Sequence, residues 1–390
     1  MTVQLTRRAA LATATALAMP AIVRAQGSAV KIGFITTLSG PAGYTGADVR
    51  DGFMLAVQDG KLGGVPVQIT VEDDGLKPAQ AKQTANRFLK TDGIKLFTGI
   101  VFSNVLEAVA PDVLEDGAIY VSANAAPSSL AGKNCHPNYF VCSWQNDALA
   151  ESVGQNANVL GYKKIFALAP NYPAGKDTIT GFKRFFKGEL VGETYTRLDQ
   201  TDFAPEMASI RAANPDAVFQ FHPGGLGIAF IRQYQQAGLT GKIPMIVSAP
   251  SVDSTILTAV GESALGIVAG AHWCTDFDNA ANKAFVAGFV AKHQRTPTFY
   301  ASQGYDTALA IGAALKAGGD VSNPPSFRKA MLPANFASVR GKFKFGVNQH
   351  PVQNWYSIQV ERGGDGKLGL VTKGLVLSDH TDVYAAACKI

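Results

Sequence analysis

Polar side chains that could hold a small molecule follow several apolar, strand-like segments of the chain. In the first half they are Thr36–Pro41, Ser103–Asn104 and Ser122–Asn124, and in the second half Asn171–Tyr172 and His222–Gly225. Hydroxyl groups and free backbone N–H groups at a helix start can hold a carboxylate. Because ligands of open parallel sheets bind beyond the carboxyl ends of the strands, this pattern predicts a site for a small anion or a neutral organic molecule.

Aromatic side chains lie close to these polar positions in the sequence. They are Tyr44, Phe102, Tyr172 and Phe221. Such rings offer flat apolar walls, and the tyrosines add a polar tip. His222 follows a strand-like segment directly, which favours a place in a pocket wall rather than a catalytic role.

Motifs for catalysis are missing from the sequence. It contains no G-x-S-x-G, no P-loop and no H-E-x-x-H, and its six histidines show no metal-ligand spacing. Gly224-Gly225-x-Gly227 is not a G-x-G-x-x-G motif, and the acidic run Glu72–Asp74 is more typical of a capped, solvated turn than of a metal site. We therefore expect no enzyme activity, no cofactor and no metal.

The elements that must position these residues alternate between strands and helices. Continuous apolar strands separated by amphipathic helices indicate parallel sheets covered on both faces. The pattern runs through the first third of the chain and then restarts, so we predict an α/β fold with two lobes. The predicted strands are 30–36, 67–71, 96–101, 118–121, 164–168, 217–221 and 243–247, and the predicted helices are 46–59, 78–90, 105–115, 176–186 and 227–238. Segments 138–147 and 270–275 lack a helical period and are candidate crossovers between the lobes.

The N-terminal segment 1–25 has the features of an export signal. It carries the pair Arg7-Arg8, then a short apolar run, and it ends in small residues before Gln26. An N-terminal anchor is the alternative, and the twin arginine suggests the twin-arginine route.

Removal of this segment lowers the formal net charge from +5 to +2, because three arginines and no acid leave. Such a surface gives no electrostatic case for binding nucleic acid.

Several short motifs, taken in their order, are typical of one known family. They are Ile32–Pro41, Asp51–Gly52, Glu72–Asp74, Pro78, Gln80–Ala81, Gly99, Ser103, Gly161–Ile165, Arg232–Leu239 and Gly304–Asp306. Together they resemble the periplasmic substrate-binding proteins of branched-chain-amino-acid-type ABC transporters. The resemblance implies the type I periplasmic binding protein fold, in which two Rossmann-like lobes joined by three crossover strands close on a ligand. It also implies a monomer with a membrane permease as partner.

The resemblance implies boundaries for the two lobes as well. We expect an N-terminal lobe of residues 26–141 with 276–345, and a C-terminal lobe of residues 142–275 with 346–380. Residues 381–390 would form a C-terminal tail.

The resemblance places an anion site at Ser103, which matches the serine that holds the carboxylate in amino-acid binders. The threonine and the acid that hold the ligand's amino group fall on Ala126 and near Pro250–Ser251, where no carboxylate is present. A buried ammonium without acceptors costs roughly 1–3 kcal/mol for each lost partner. We therefore expect an aromatic acid of the benzoate or hydroxycinnamate type. The alternatives are a branched-chain or other amino acid, and a ligand-sensing receptor domain. The expected site residues are Tyr44, Phe102, Ser103, Asn124, Ala125, Tyr172, His222, Ser251 and Tyr300, although some of the aromatics could instead be core residues.

Asn104 and Glu107 have the spacing of a capping box, which predicts that this pair caps the helix after Ser103. Ser103 would then be free to face the ligand.

The four cysteines allow three two-bridge pairings as well as free thiols, and the sequence alone does not choose between them. The family resemblance implies a bridge between Cys135 and Cys388. Cys142 and Cys274 fall on the two presumed crossovers, where either a bridge or two buried free thiols is expected.

Overall fold

The first lobe of the computed structural model, which describes residues 29–390, is built on a six-stranded sheet. The strand order is β2-β3-β1-β4-β5-β6, and all neighbours are parallel except β2 and β3. The elements are β1 Val30–Thr36, α1 Gly43–Ala56, β2 Lys61–Leu62, β3 Val65–Asp73, α2 Pro78–Lys90, β4 Leu96–Thr98, α3 Ser103–Glu115, β5 Ile119–Ser122 and β6 Tyr139–Val141. The last five residues of β1 are buried, as expected for a strand covered by helices on both faces.

The second lobe is built on an eight-stranded mixed sheet. Its order is β12-β13-β11-β10-β9-β7-β8, with β14 paired to β13, and the pairs of β13 are antiparallel. The elements up to the return crossing are α4 Asn146–Val159, β7 Lys164–Pro170, α5 Pro173–Phe185, β8 Glu189–Thr196, α6 Ala204–Ala213, β9 Ala217–Gln220, α7 Gly225–Gln236, β10 Met245–Ser248, α8 Ser254–Val260 and β11 Val268–Ala271.

The C-terminal part of the chain contributes elements to both lobes. It contains α9 Ala280–His293, α10 Phe299–Lys316, α11 Pro324–Met331, β12 Lys344–Phe345, β13 Pro351–Arg362 and β14 Leu368–His380. Helix α10 packs on α1 of the first lobe, and a Cβ at Gly52 or Gly304 would collide with the backbone of the facing helix. Two of the short motifs in the sequence therefore have a packing role.

This architecture confirms the predicted α/β fold with two lobes. The segment 138–147 does connect the lobes, but it is not extended throughout, because β6 occupies Tyr139–Val141 and α4 begins at Asn146. The β13–β14 hairpin and helices α9 and α10 were not predicted, since their apolar residues follow no clear single period. The boundaries expected for the two lobes stay a prediction. No helix within residues 29–390 combines the length and apolarity that crossing a membrane requires. The predicted export signal, residues 1–25, lies outside the described residues.

Buried Arg340 joins the segments that connect the lobes. Its guanidinium pairs with Asp306 at 3.0 Å and donates to the carbonyls of Cys142 and Ser143 and to the Gln353 side chain. These residues come from the first crossover, α10 and β13. Arg340 therefore links elements that lie far apart in the sequence at the junction of the two lobes.

A disulfide joins Cys135 to Cys388, with 5.6 Å between the Cα atoms, and ties the C-terminal tail to the segment before β6. The possible bridge between Cys142 and Cys274 does not form, because both are buried free thiols in different surroundings. The Cys274 thiol lies 3.5 Å from the Leu370 carbonyl, whereas the Cys142 thiol lies near Arg340 and Thr307. Burial raises the pKa of each thiol to about 12, which keeps both protonated.

Candidate functional site

A small cavity lies between the lobes, at the carboxyl ends of strands from both sheets. Residues that follow β4 and β5 face residues that follow β7, β9 and β10. The wall consists of Val101, Phe102, Ser103, Asn124, Trp144, Asn146, Leu149, Tyr172, Ala174, Thr178, Phe221, Pro223, Pro250 and Tyr300. The cavity therefore lies at the edge of the sheets that the sequence indicated.

Ser103 is the first residue of α3 and is 1% exposed. Its Oγ accepts a hydrogen bond from Asn146 Nδ2 at 3.1 Å. Within residues 29–390 no acceptor takes the Ser103 hydroxyl proton, so the hydroxyl can donate to a group in the cavity. The positive end of the α3 dipole also favours an anion at this point.

The prediction that Asn104 and Glu107 form a capping box is wrong. The residue before α3 is Phe102, with extended backbone, and no side chain caps the helix. The Glu107 carboxylate instead accepts from the Ser129 hydroxyl, and Asn104 Oδ1 is buried without a partner. Ser103 is free to face the cavity because it occupies the first turn itself, and a cap by its neighbours plays no part.

Aromatic rings form much of the cavity wall. Phe102 and Tyr172 face each other across the lobes, with ring centroids 6.2 Å apart, and Phe221 lies nearly parallel to Tyr172 at 6.4 Å. Trp144, from the first crossover, and Tyr300, from α10, complete the aromatic part. The flat walls suit a planar ligand.

No charged side chain belongs to the wall of this cavity. The nearest carboxylate in the hydrogen-bond network is Asp177, which accepts from Asn146 Nδ2 at 3.0 Å. Burial raises the pKa of Asp177 to about 6, and hydrogen bonds from Ser128 partly oppose that shift. A ligand in the cavity would meet hydroxyl, amide and aromatic groups, and no counter-charge for an ammonium.

Besides the Ser103–Asn146 hydrogen bond, two hydrogen-bonded contacts join the lobes beside the cavity. Ser128, after β5, donates its N–H and its hydroxyl to Asp177 of α5, at 2.9 and 2.6 Å. Tyr44, in α1, donates its hydroxyl to Asp253, at the start of α8, at 2.8 Å. Burial raises the pKa of Asp253 to about 7. Because each contact needs both lobes, the structure is a closed arrangement of the cleft.

Five of the residues expected at the site lie in the cavity wall, and four do not. Phe102, Ser103, Asn124, Tyr172 and Tyr300 belong to the wall. Tyr44 lies outside the wall, where its hydroxyl donates to Asp253 and its ring packs edge-on against Tyr300 at 6.4 Å.

His222, Ser251 and Ala125 also lie outside the cavity wall. Both ring nitrogens of His222 are occupied, by Thr196 Oγ1 at 3.0 Å and Gln220 Oε1 at 2.9 Å, and burial lowers its pKa to about 3. Ser251 Oγ accepts from the His222 backbone N–H. The N–H of Ala125 donates to the Ile100 carbonyl. All three residues support the pocket from behind its wall.

Trp144 and Asn146 were missed. Asn146 directly follows a Gln145 whose side chain caps α4, and this local signal describes only a helix start. Its contact with Ser103, 43 residues earlier, arises from the way the lobes meet.

No metal site is evident in the part of the chain that the structure describes, where three or more His, Cys, Asp or Glu side chains nowhere form a suitable group. A larger groove between α8 and the β13–β14 turn contains neither Ser103 nor the facing aromatic rings.

Two α/β lobes closed over a small interlobe cavity define a solute-binding protein of the periplasmic type. The chain belongs to the periplasmic binding protein family, whose sequence profile matches residues 29–365. It is a solute-binding protein of the ABC-transporter class, and the family is extracytoplasmic.

Among curated proteins, the chain is 27% identical over 365 residues to Leu/Ile/Val-binding protein homolog 6 of Brucella melitensis, covering 91% of this chain and 93% of that protein. Among solved structures it is similar to an ABC-transporter solute-binding protein of R. palustris in complex with benzoate. Their TM-score is 0.87 at 32% identity, over 93% of this chain and all of the other. A second R. palustris solute-binding protein, in complex with 4-hydroxybenzoate, gives a TM-score of 0.84 at 27% identity, over 90% and 98% of the two chains.

Proposed function

We propose that this protein is the extracytoplasmic receptor of an ABC importer and that it binds a small aromatic carboxylate, of the benzoate or hydroxycinnamate type. The observation that carries the proposal is the cavity itself. A serine hydroxyl with a free proton stands at a helix start, between aromatic walls that contain no charged side chain.

The ligand's carboxylate lies at Ser103 in this proposal. It accepts a hydrogen bond from the Ser103 hydroxyl and gains from the α3 dipole. The ring lies among Phe102, Tyr172, Phe221 and Trp144, where burial of its apolar surface supplies most of the affinity.

An amino acid is the second candidate, and the Leu/Ile/Val-binding relatives are the reason to consider it. Its ammonium group would have to lose water without meeting a carboxylate, because the cavity wall contains none. That cost is at least roughly 1–3 kcal/mol. The benzoate and 4-hydroxybenzoate complexes of the solved structures also support the aromatic acid.

Closure of the lobes is the binding step. A ligand that contacts both lobes favours the closed state over the open one by its differential affinity. The contacts Ser128–Asp177 and Tyr44–Asp253 add to the stability of that state. A membrane permease then receives the closed protein, and the protein itself catalyses no reaction.

Export precedes this role. The basic and apolar segment 1–25 would direct the chain out of the cytoplasm, with the twin-arginine route as the proposed path.

A thermal-shift panel of benzoate, p-coumarate, leucine and valine tests the ligand class. We expect benzoate or p-coumarate to raise the melting temperature, because binding to the native state stabilises it by mass action. A large rise with leucine and none with either aromatic acid would refute the proposal in favour of an amino acid. Recovery of unaltered ligand after incubation would separate a binder from a hydrolase.

A further inference from the structure

Asn124, a residue of the cavity wall, has an acceptor atom without a hydrogen-bond partner. The residue is 7% exposed, belongs to the cavity wall, and its Oδ1 is buried without a hydrogen-bond partner. Buried polar atoms normally have partners, so an orphan in a ligand cavity indicates a group that the ligand supplies.

The orientation of this amide follows from its contacts. Asn124 Nδ2 donates to the Val101 carbonyl at 2.8 Å. Since a carbonyl oxygen can only accept, the Asn124 amide must turn its nitrogen to Val101 and its oxygen away from it. The backbone after Asn124 is held too, because the Asn124 carbonyl accepts from the Ser143 hydroxyl at 2.8 Å and the N–H of Ala125 donates to the Ile100 carbonyl. The Oδ1 atom is therefore a fixed acceptor.

The ligand group that meets Asn124 must be a donor. An aromatic carboxylate has only acceptors on its charged end and carbon-bound hydrogens on its unsubstituted ring. Benzoate alone would thus leave Oδ1 desolvated and unpaired, whereas a hydroxyl on the ligand would donate to it.

We propose that Asn124 Oδ1 accepts a hydrogen bond from a ligand hydroxyl, so that the protein prefers a hydroxylated aromatic acid to the unsubstituted one. This inference rests on the proposed function and narrows its ligand class. A site built to hydrogen-bond a hydroxyl discriminates against the analogue that lacks it, because the buried partner is then left unpaired.

Isothermal titration with benzoate and with 2-, 3- and 4-hydroxybenzoate tests the proposal. We expect at least one hydroxybenzoate to bind the wild type about tenfold or more tightly than benzoate. In Asn124→Leu, which keeps a similar volume, that preference should disappear, so that hydroxybenzoate and benzoate bind the variant with similar affinity. Unequal losses for the three isomers would identify the ring position that Asn124 contacts.

The matched control is Asn104→Leu. Asn104 also has a buried, unpartnered Oδ1 and follows Ser103 directly, but it does not belong to the cavity wall. The Asn104→Leu substitution should leave the ratio of hydroxybenzoate to benzoate affinity unchanged. Thermal melting checks that each variant is folded.

Two results would overturn the inference. One is a wild type that binds benzoate as tightly as every hydroxybenzoate, which would mean that water satisfies Oδ1. The other is a hydroxyl preference that survives in Asn124→Leu. Failure of the proposed function looks different, since then no aromatic acid would bind the wild type at all.

Discussion

Removal of the Ser103 hydroxyl is the most direct test of whether the cavity binds an anion as proposed. In the structure this hydroxyl accepts from Asn146 and has one proton without an acceptor. Ser103→Ala removes the donor and leaves the cavity otherwise nearly the same size. The ligand's carboxylate would then lose one hydrogen bond in surroundings that contain no lysine or arginine to replace it.

The magnitude follows from the type of bond. A hydrogen bond to a charged group contributes about 1.5–3 kcal/mol, which corresponds to a roughly 10- to 150-fold weaker dissociation constant. The change should cost little stability, because Asn146 keeps its bond to Asp177 at 3.0 Å.

Isothermal titration of benzoate into wild type and Ser103→Ala measures the loss, with urea unfolding as the measure of stability. Ser122→Ala is the matched control. Ser122 is also a buried serine, at the end of the neighbouring strand β5. Its hydroxyl donates to the Ala125 carbonyl, and the residue does not belong to the cavity wall. We expect the control to bind benzoate like wild type. A folded Ser103→Ala protein that binds benzoate undiminished would refute the anion site.

Three further predictions concern closure and stability. Affinity for benzoate should rise by up to about tenfold from pH 8 to pH 6, because burial raises the Asp253 pKa to about 7 in this closed structure and exposure to water on opening should lower it, so closure takes up a proton as the pH falls through that value. Asp253→Asn should flatten this dependence, and a flat wild-type profile would contradict the reasoning. Arg340→Met should lower the free energy of unfolding by about 3–5 kcal/mol in urea titration, since it leaves a buried carboxylate unpaired. If Arg340→Met lowered the free energy of unfolding no more than substitution of an exposed arginine, the buried ion pair would not stabilise the fold as expected. Cys135→Ser should lower the free energy of unfolding by about 2–4 kcal/mol without changing ligand affinity, because the bridge to Cys388 closes a long loop remote from the cavity. Equal melting temperatures of the wild type with and without reductant would contradict a stabilising role of this disulfide.

Local elements could be predicted wherever one period dominated the sequence. The strand Val30–Thr36 and the helix Pro78–Lys90 have the predicted bounds, because a continuous apolar run and a proline at the helix start are local signals. Strand-to-helix order then indicated the edge of the sheets where a ligand binds. Ser103 could be placed there from its position alone.

Side-chain partners could not be predicted in the same way. His222 follows a strand just as Ser103 does, yet its ring turns into the second lobe and bonds to Thr196 and Gln220. Sequence position determines which end of a strand a residue occupies, but neighbouring helices decide which way its side chain turns.

The sequence by itself determined the strands and helices with a clear period, the two-lobe α/β fold and the position of Ser103 after a strand, because these depend on periodicity and on neighbours along the chain. Only the tertiary structure decided that Tyr44 contacts Asp253 and that Asn146 supports Ser103. Such contacts depend on how the two lobes meet. That geometry is set by packing between residues as many as 209 positions apart, which no local pattern records.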